Sequence, residues 1–203
     1  MNPEEWNRRY RAVDLVWGTE PNRFVAEALG SCRPDGRALD LACGEGRNAI
    51  WLAKRGWVVT AVDYSEVAIQ RGRRLAKEEG VQVEWICGDV TKVELERGAF
   101  GLVLVSYLQV PTEELRAALA RSAAALPPGG RLFMIGHALR NRAEGIGGPS
   151  PPEVLWEPRA LESELRAVGL EIARCEEVSR AVETEGGTRA AIDVLADAHR
   201  PAA

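Results

Sequence analysis

Ala38-Leu39-Asp40-Leu41-Ala42-Cys43-Gly44-Glu45-Gly46-Arg47-Asn48-Ala49 is a short apolar run that breaks on two glycines and leads into a helical pattern. The run reads as a buried strand. The glycines let the backbone turn tightly and approach a ligand, and the helix that follows directs free N–H groups at it. Gly44, Gly46 and Ala49 also satisfy the GxGxxA form of the dinucleotide-binding fingerprint. A strand-to-helix turn that simply needs two glycines has the same pattern, so the stretch defines the local fold before it defines a ligand.

Working outward, the chain alternates apolar runs with helical patterns. Val58-Val59-Thr60-Ala61-Val62, the alternating Val81–Ile86, and the fully apolar Leu102–Val105 and Leu132–Ile135 read as strands. A helix from Asn48 to Lys54 is stopped by Gly56, and a second opens at Ser65 with Glu66 in its first turn and ends at Gly80. Thr112 is expected to cap a third, whose Leu115, Leu119, Ala123 and Leu126 form a buried stripe. Pro158 opens the last, which buries Leu161, Leu165 and Val168 and stops at Gly169. Strand–helix alternation predicts right-handed βαβ units. Leu170–Ala181 and Arg189–His199 follow as two strand-like runs joined by the turn-rich 183–188, so they should pair antiparallel. The expected fold is α/β: one doubly wound Rossmann-like domain over 1–203, with a mostly parallel seven-stranded sheet that ends in an antiparallel hairpin and helices on both faces.

Composition sets the outer limits. The 203 residues are 46% hydrophobic and 28% charged, with a net charge of −4, enough apolar content for one full core. The charge opposes a phosphate backbone and the basic residues are spread among acids, so nucleic acid is not the expected partner. The longest charge-free apolar stretch, Gly101–Pro111, is too short to span a membrane, and the N-terminus has no apolar core of a signal peptide. Cys32, Cys43, Cys87 and Cys175 lack CxxC pairing, so neither a disulfide framework nor a metal site is expected; they read as small buried hydrophobes in a cytoplasmic protein. The oligomeric state is left open.

Two more acids sharpen the ligand. Asp63 ends the second strand, where a carboxylate can accept both hydroxyls of a ribose, and Asp89 follows the third, where it could accept an adenine amine. Each alone also reads as a helix cap or a loop residue. Together with Asp40 they put three carboxylates on one sheet edge, the edge at which open α/β sheets bind ligands.

DLACGEGRNA, VTAVDYS, GDV and LPPGGRLFMIGH, in that order, resemble the class I S-adenosylmethionine-dependent methyltransferases, most closely the small bacterial enzymes related to tellurite-resistance and thiopurine methyltransferases. The resemblance spans nearly the whole chain. It implies S-adenosylmethionine as cofactor, with Asp40, Ala42, Cys43, Gly44 and Gly46 around the methionine part, Asp63 on the ribose, Tyr64 against the adenine, and Asp89 and Val90 on its ring and amine. Ser106, at the end of strand four, completes that set. It also implies a division into an N-terminal aromatic extension or lid (1–37), a cofactor-binding core (38–136), an acceptor loop (137–157), and the last helix with the hairpin (158–203). Two positions depart from the family pattern: Gly101 stands where an Asp is usual before strand four, and Gln109 stands where a His is common after it.

Trp6, Tyr10 and Trp17 precede the first strand, with Trp6 and Tyr10 on one face if the segment is helical. They either staple the extension to the core or form a lid whose aromatic faces attract a sulfonium, the role that the resemblance implies for Trp6 and Tyr10. Arg9, Arg11 and Arg47 are equal candidates for the methionine carboxylate. Gly136–Trp156 is a Gly- and Pro-rich stretch of about twenty residues on the same edge, long enough to wall an acceptor pocket. Thiolates, metalloid oxyanions and similar soft acceptors need no base, whereas phenols or carbon acids would call on His137 or Tyr107. Nothing matches the NPPY or Pro-Cys signatures of nucleobase methylation. The expected activity is methyl transfer by in-line displacement to a small-molecule acceptor, yielding S-adenosylhomocysteine. The rivals are a nicotinamide-dependent oxidoreductase, which leaves Asp40, Asp89 and the hairpin unexplained, and a binding module without chemistry.

Overall fold

The structure, a computed structural model, describes residues 2–202. The quoted stretch forms β1 (Arg37–Leu41), the glycine turn and α3 (Arg47–Lys54); α1 (Pro3–Ala12) and α2 (Arg23–Leu29) precede it. Then come β2 (Val58–Asp63), α4 (Glu66–Glu78), β3 (Val83–Cys87), β4 (Phe100–Ser106), α5 (Thr112–Ala125) and β5 (Arg131–His137). The chain ends with the single turn α6 (Asn141–Glu144), a 3₁₀ turn at Pro152–Val154, α7 (Pro158–Ala167), β6 (Glu171–Thr184) and β7 (Gly187–His199). The seven strands form one sheet in the order β3-β2-β1-β4-β5-β7-β6, parallel from β3 to β5, with β7 antiparallel to both β5 and β6.

Burial explains the apolar runs. Leu39, Leu41, Val103, Val105 and Met134 face α5 and α7 through Leu115, Leu119, Leu161 and Leu165. Ala38, Leu102, Leu104 and Phe133 face the helices α2 to α4 through Phe24, Val25, Leu29, Ala49, Leu52 and Ile69. Each large side chain so buried stabilises the fold by roughly 1.5–3 kcal/mol. β1 and β4 are therefore apolar on both sides because both sides are covered.

The β3–β4 crossover contains no helix; Asp89 Oδ1 accepts from Thr91 N and Oγ1 and closes a turn there. Three expectations shift. Pro111 occupies the cap position of α5, so Thr112 is its first helical residue. The hairpin strands are longer than their apolar cores, because alternating polar residues continue the ladder to Thr184↔Gly187, and Gly187 takes the left-handed backbone (φ 102°) that the turn needs. Burial is not what the cysteines share, since Cys43 is buried while Cys87 is exposed. Among the described residues no helix is long and apolar enough to cross a membrane.

The two departures from the family pattern become intelligible here. A side chain at Gly101 would meet the Asp35 carbonyl at 2.4 Å, so a close backbone crossing occupies the space of the usual acid. Gln109 accepts from the His137 backbone N–H at 2.7 Å and donates to the Val154 carbonyl, tying the end of β5 to the far end of the following loop.

Candidate functional site

The site lies along the edge where β1, β2, β4 and β5 end. Asp40 sits there with no exposure, and neither carboxylate oxygen has a hydrogen-bond partner. Burial pushes its pKa up to about 7, with a weaker opposing pull from the nearby Ala49 backbone N–H, which is outside hydrogen-bond geometry. Ser106, at the end of the neighbouring β4, also has a buried hydroxyl without a partner. Unsatisfied buried polar groups are rare in folded proteins and costly, so three such atoms on adjacent strand ends mark a place shaped for a polar ligand. Backbone strain marks the same edge: Ala42 (φ 59°) follows β1 and Tyr107 (φ 57°) follows β4, each a left-handed residue with a side chain.

The two glycines of the turn have different tasks. A side chain at Gly46 (φ 80°) would lie 2.2 Å from the Trp85 indole, which also presses on Gly72 of α4, so Gly46 serves close packing against β3. Gly44 (φ 57°) faces the N-terminal segment, since a side chain there would lie 2.8 Å from the Tyr10 hydroxyl. Gly44 N donates to Asp63 Oδ2 at 2.9 Å, and Ser65 N donates to Oδ1 at 2.8 Å. Asp63 thus fastens the turn to β2 with two lone pairs to spare; its pKa is raised, by burial first. Tyr64 is half-buried beside it, as is Val90's neighbour Asp89, whereas Val90 is buried. Asp89 also pairs with Lys92 at 3.1 Å, and hydrogen bonds from Thr91 and Lys92 outweigh desolvation to hold its carboxyl below the usual range.

The extension folds over the turn. The side chain of Asn2 and that of Glu5 form a capping box at the start of α1, and Asn7 Oδ1 accepts from Ser65 Oγ at 2.6 Å, which docks α1 on α4. Tyr10 is 3% exposed above Gly44; burial, and then the charge of Asp63, keep it a neutral phenol. Glu45, 2% exposed, latches the segment: it accepts from Val16 N at 2.9 Å and pairs at 3.0 Å with Arg71, which also donates to the Val13 carbonyl. Trp6 stands 5.6 Å from Tyr10, but Arg9 stacks over both Trp6 and Trp17 at 5.1 Å. That aromatic face already holds a cation. Arg9 is therefore engaged outside, while Arg47, half-buried and donating to the Trp17 carbonyl at 3.1 Å, stands within the electrostatic reach of Asp40, Tyr107 and Tyr10.

At the other end of the edge, His137 lies directly across from Asp193 in the β5–β7 register. Its Nδ1 is 3.1 Å from Asp193 Oδ1, and the Tyr107 and His137 rings are 4.8 Å apart. Asp193 Oδ2 accepts from the Tyr107 hydroxyl and from Arg180 Nε, both at 2.8 Å. Burial, followed by the charge of Asp193, pushes the Tyr107 pKa up to about 12, so Tyr107 is a donor rather than a base. The loop that follows His137 is better tied than its glycines and prolines suggest. Asn141 accepts from Ile192 N at 2.7 Å and donates to the Gly147 carbonyl at 2.8 Å, and Gly148 packs on the His137 ring.

The structure places Asp40, Ala42, Cys43, Gly44, Asp63, Ser106, Tyr107 and His137 along one edge and adds Asp193, Arg180 and Asn22, which the sequence reading did not name. Asp193 had a signal: it is the lone charge in the apolar Ala190–Ala196 run.

The methyltransferase domain family matches residues 38–130. A demethylmenaquinone methyltransferase of Clavibacter sepedonicus is 34% identical over 60% of this chain and 47% of its own length. A ubiquinone biosynthesis O-methyltransferase of Coxiella burnetii is 30% identical over 47% of this chain and 41% of its own. The chain spans about half the length of the curated relatives it matches. Among solved structures, one described as concerning conversion of a disulfide bond into a thioacetal group in echinomycin biosynthesis superposes with a TM-score of 0.80 at 22% identity, over 98% of this chain and 92% of that one, which establishes a shared fold. Residues 38–130 thus match the methyltransferase domain family, and the seven-stranded sheet has the fold of that solved structure.

Proposed function

We propose that the chain binds S-adenosylmethionine across the ends of β1 and β2 and methylates a small-molecule acceptor held between the N-terminal segment and the 137–157 loop. The observation that carries this reading is the orphaned Asp40 carboxylate beside the glycine turn of a methyltransferase domain. An ammonium group is the ligand that such a buried acid lacks, and the methionine part of the cofactor has one. Ser106 adds a hydroxyl to the same end, Arg47 offers a guanidinium for the carboxylate, and Asp63 has spare lone pairs for a ribose diol. Ala42, Cys43 and Gly44 would line the methionine, and Gly46 would act by seating Trp85. Tyr64, Val90 and one remaining lone pair of Asp89 would meet the adenine. When bound, the sulfonium supplies an already activated methyl group.

The protein's own work is then alignment and exclusion of water. Tyr10 closes over Gly44, and the Glu45–Arg71 latch holds the segment that carries it. Trp6 serves that closure through α1, with Arg9 on its face. The relatives' names, demethylmenaquinone and ubiquinone biosynthesis, favour the phenol-like member of the acceptor classes over thiols and metalloid oxyanions. Residues 1–37, 38–136, 137–157 and 158–203 divide as lid, cofactor core, acceptor loop and closing hairpin.

Incubation of the full chain with S-adenosylmethionine and a panel of catechol, hydroquinone and thiophenol tests the reading. Formation of S-adenosylhomocysteine that depends on one of them is the expected result. Saturable NAD binding with no response to S-adenosylhomocysteine would replace the proposal by the oxidoreductase, and binding without turnover of any acceptor would leave a binding module.

A further inference from the structure

We infer that His137 and Asp193 form a proton-accepting pair for an acceptor hydroxyl, His137 touching the substrate and Asp193 positioning it, so that the acceptor is an ionisable oxygen acid such as a phenol or an enol. This rests on the methyl-transfer reading above and adds the attacking atom to it.

The geometry is that of a pair built for one task. His137 and Asp193 face each other across β5 and β7, and no exposure of Asp193 remains. The two nitrogens of His137 are in different surroundings: Nδ1 is buried at 3.1 Å from Asp193 Oδ1, while Nε2 has no partner among the described residues and is not shut off from solvent. The Nδ1 approach is off the hydrogen-bond axis, a looseness common where such contacts tighten on substrate binding. A carboxylate beside Nδ1 favours the proton on that nitrogen and leaves Nε2 as the base.

The carboxylate is itself fixed. Its other oxygen takes Arg180 Nε and the Tyr107 hydroxyl, and Tyr107 holds its strained backbone while also meeting Asn22 Nδ2 at 3.4 Å. The charged and titratable groups that face His137 are thus Asp193 from β7, Arg180 from β6 and Tyr107 from the end of β4; the loop side contributes the Gly148 backbone. Burial alone would raise the Asp193 carboxyl, but His137 beside it, the charge of Arg180 and the Tyr107 hydroxyl outweigh burial and hold it below the usual carboxylate range, so it stays an anion beside the ring. Apolar residues would fill a hairpin interior at less cost than four polar groups. A thiolate acceptor arrives already ionised and gives such a pair nothing to do. In the step, the acceptor O–H proton passes to His137 Nε2, the oxygen forms its bond to the methyl carbon, and the carbon–sulfur bond of the sulfonium donor breaks with its electron pair on sulfur. The imidazolium, stabilised by Asp193, then loses its proton to water.

The chain has only two histidines, so the imidazole signals of His137 and His199 are separable by NMR. In the full chain saturated with S-adenosylhomocysteine, the wild type should show His137 with its proton on Nδ1 when neutral. Asp193→Asn should remove that preference. With catechol as acceptor, Asp193→Asn and His137→Gln should each lower kcat about a hundredfold with little change in KM, whereas thiophenol methylation should fall less than about threefold, within ordinary mutational scatter. The inference is overturned if Asp193→Asn leaves the tautomer of His137 unchanged, if catechol and thiophenol rates fall together, or if catechol is not methylated by the wild type. Retained S-adenosylhomocysteine binding in these cases keeps the cofactor reading; its absence in the wild type removes both.

Discussion

Two aspartates with no solvent exposure stand at opposite ends of one sheet edge, and they are solved differently. Asp40, on β1, has no hydrogen-bond partner on either oxygen and an elevated pKa, whereas Asp193, on β7, is held through Oδ2 by Tyr107 and Arg180 and has a depressed one. Its Oδ1 faces His137 Nδ1 at 3.1 Å outside hydrogen-bond geometry. The β1 carboxylate thus lacks any protein partner, and the β7 carboxylate is fixed by two donors. On the proposed function, that contrast separates cofactor binding from acceptor chemistry.

Breaking the Asp193 end should have the largest effect on stability. Asp193→Ala leaves Arg180 half-buried without its anion and should cost about 3–5 kcal/mol in urea denaturation. Asp40→Asn should act in the opposite sense. The folded-state pKa of Asp40, about 7, lies above its unfolded value, so this group favours the fold at low pH and that advantage is lost as pH rises toward 7 and beyond. The free Asn variant should therefore be more stable than the wild type at pH 8, by about 2–4 kcal/mol, with the gap closing near pH 4. Asp193 has the reverse dependence: its depressed pKa contributes stability above the usual carboxylate range that is lost as pH falls below it.

Smaller effects sharpen the contrast on the cofactor side. Asp63→Ala should weaken S-adenosylhomocysteine by roughly 1.5–3 kcal/mol in calorimetry, since it removes both the proposed ribose acceptor and the anchor of Gly44 N. Asp89→Ala should weaken it less than about threefold, because that carboxylate is already engaged by Thr91 and Lys92 and is well solvated.

Much of this edge was legible in the sequence for a local reason. The turn after β1 and the acids after β2 and β3 follow their strands directly, so strand ends locate them without knowledge of packing. The same logic gave the sheet and its antiparallel end. What stayed hidden depends on pairing between distant segments. Asp193 acquires meaning only through the β5–β7 register, which sets it opposite His137, and the task of Gly46 only through the indole of Trp85. The Arg9 stack on Trp6 and Trp17 was hidden likewise, because its two rings are eleven residues apart and meet only when the chain beyond α1 turns back.

The central claim is that Asp40 awaits a cationic group, and proton linkage tests it most directly. S-adenosylhomocysteine should be titrated into the full chain at pH 6 in two buffers of different ionisation enthalpy. A protonated Asp40 that ionises on meeting the ligand's ammonium predicts release of a large fraction of one proton, absent in Asp40→Asn and fading by pH 9. Binding at pH 6 without proton release, or release of equal size in Asp40→Asn, would contradict the account.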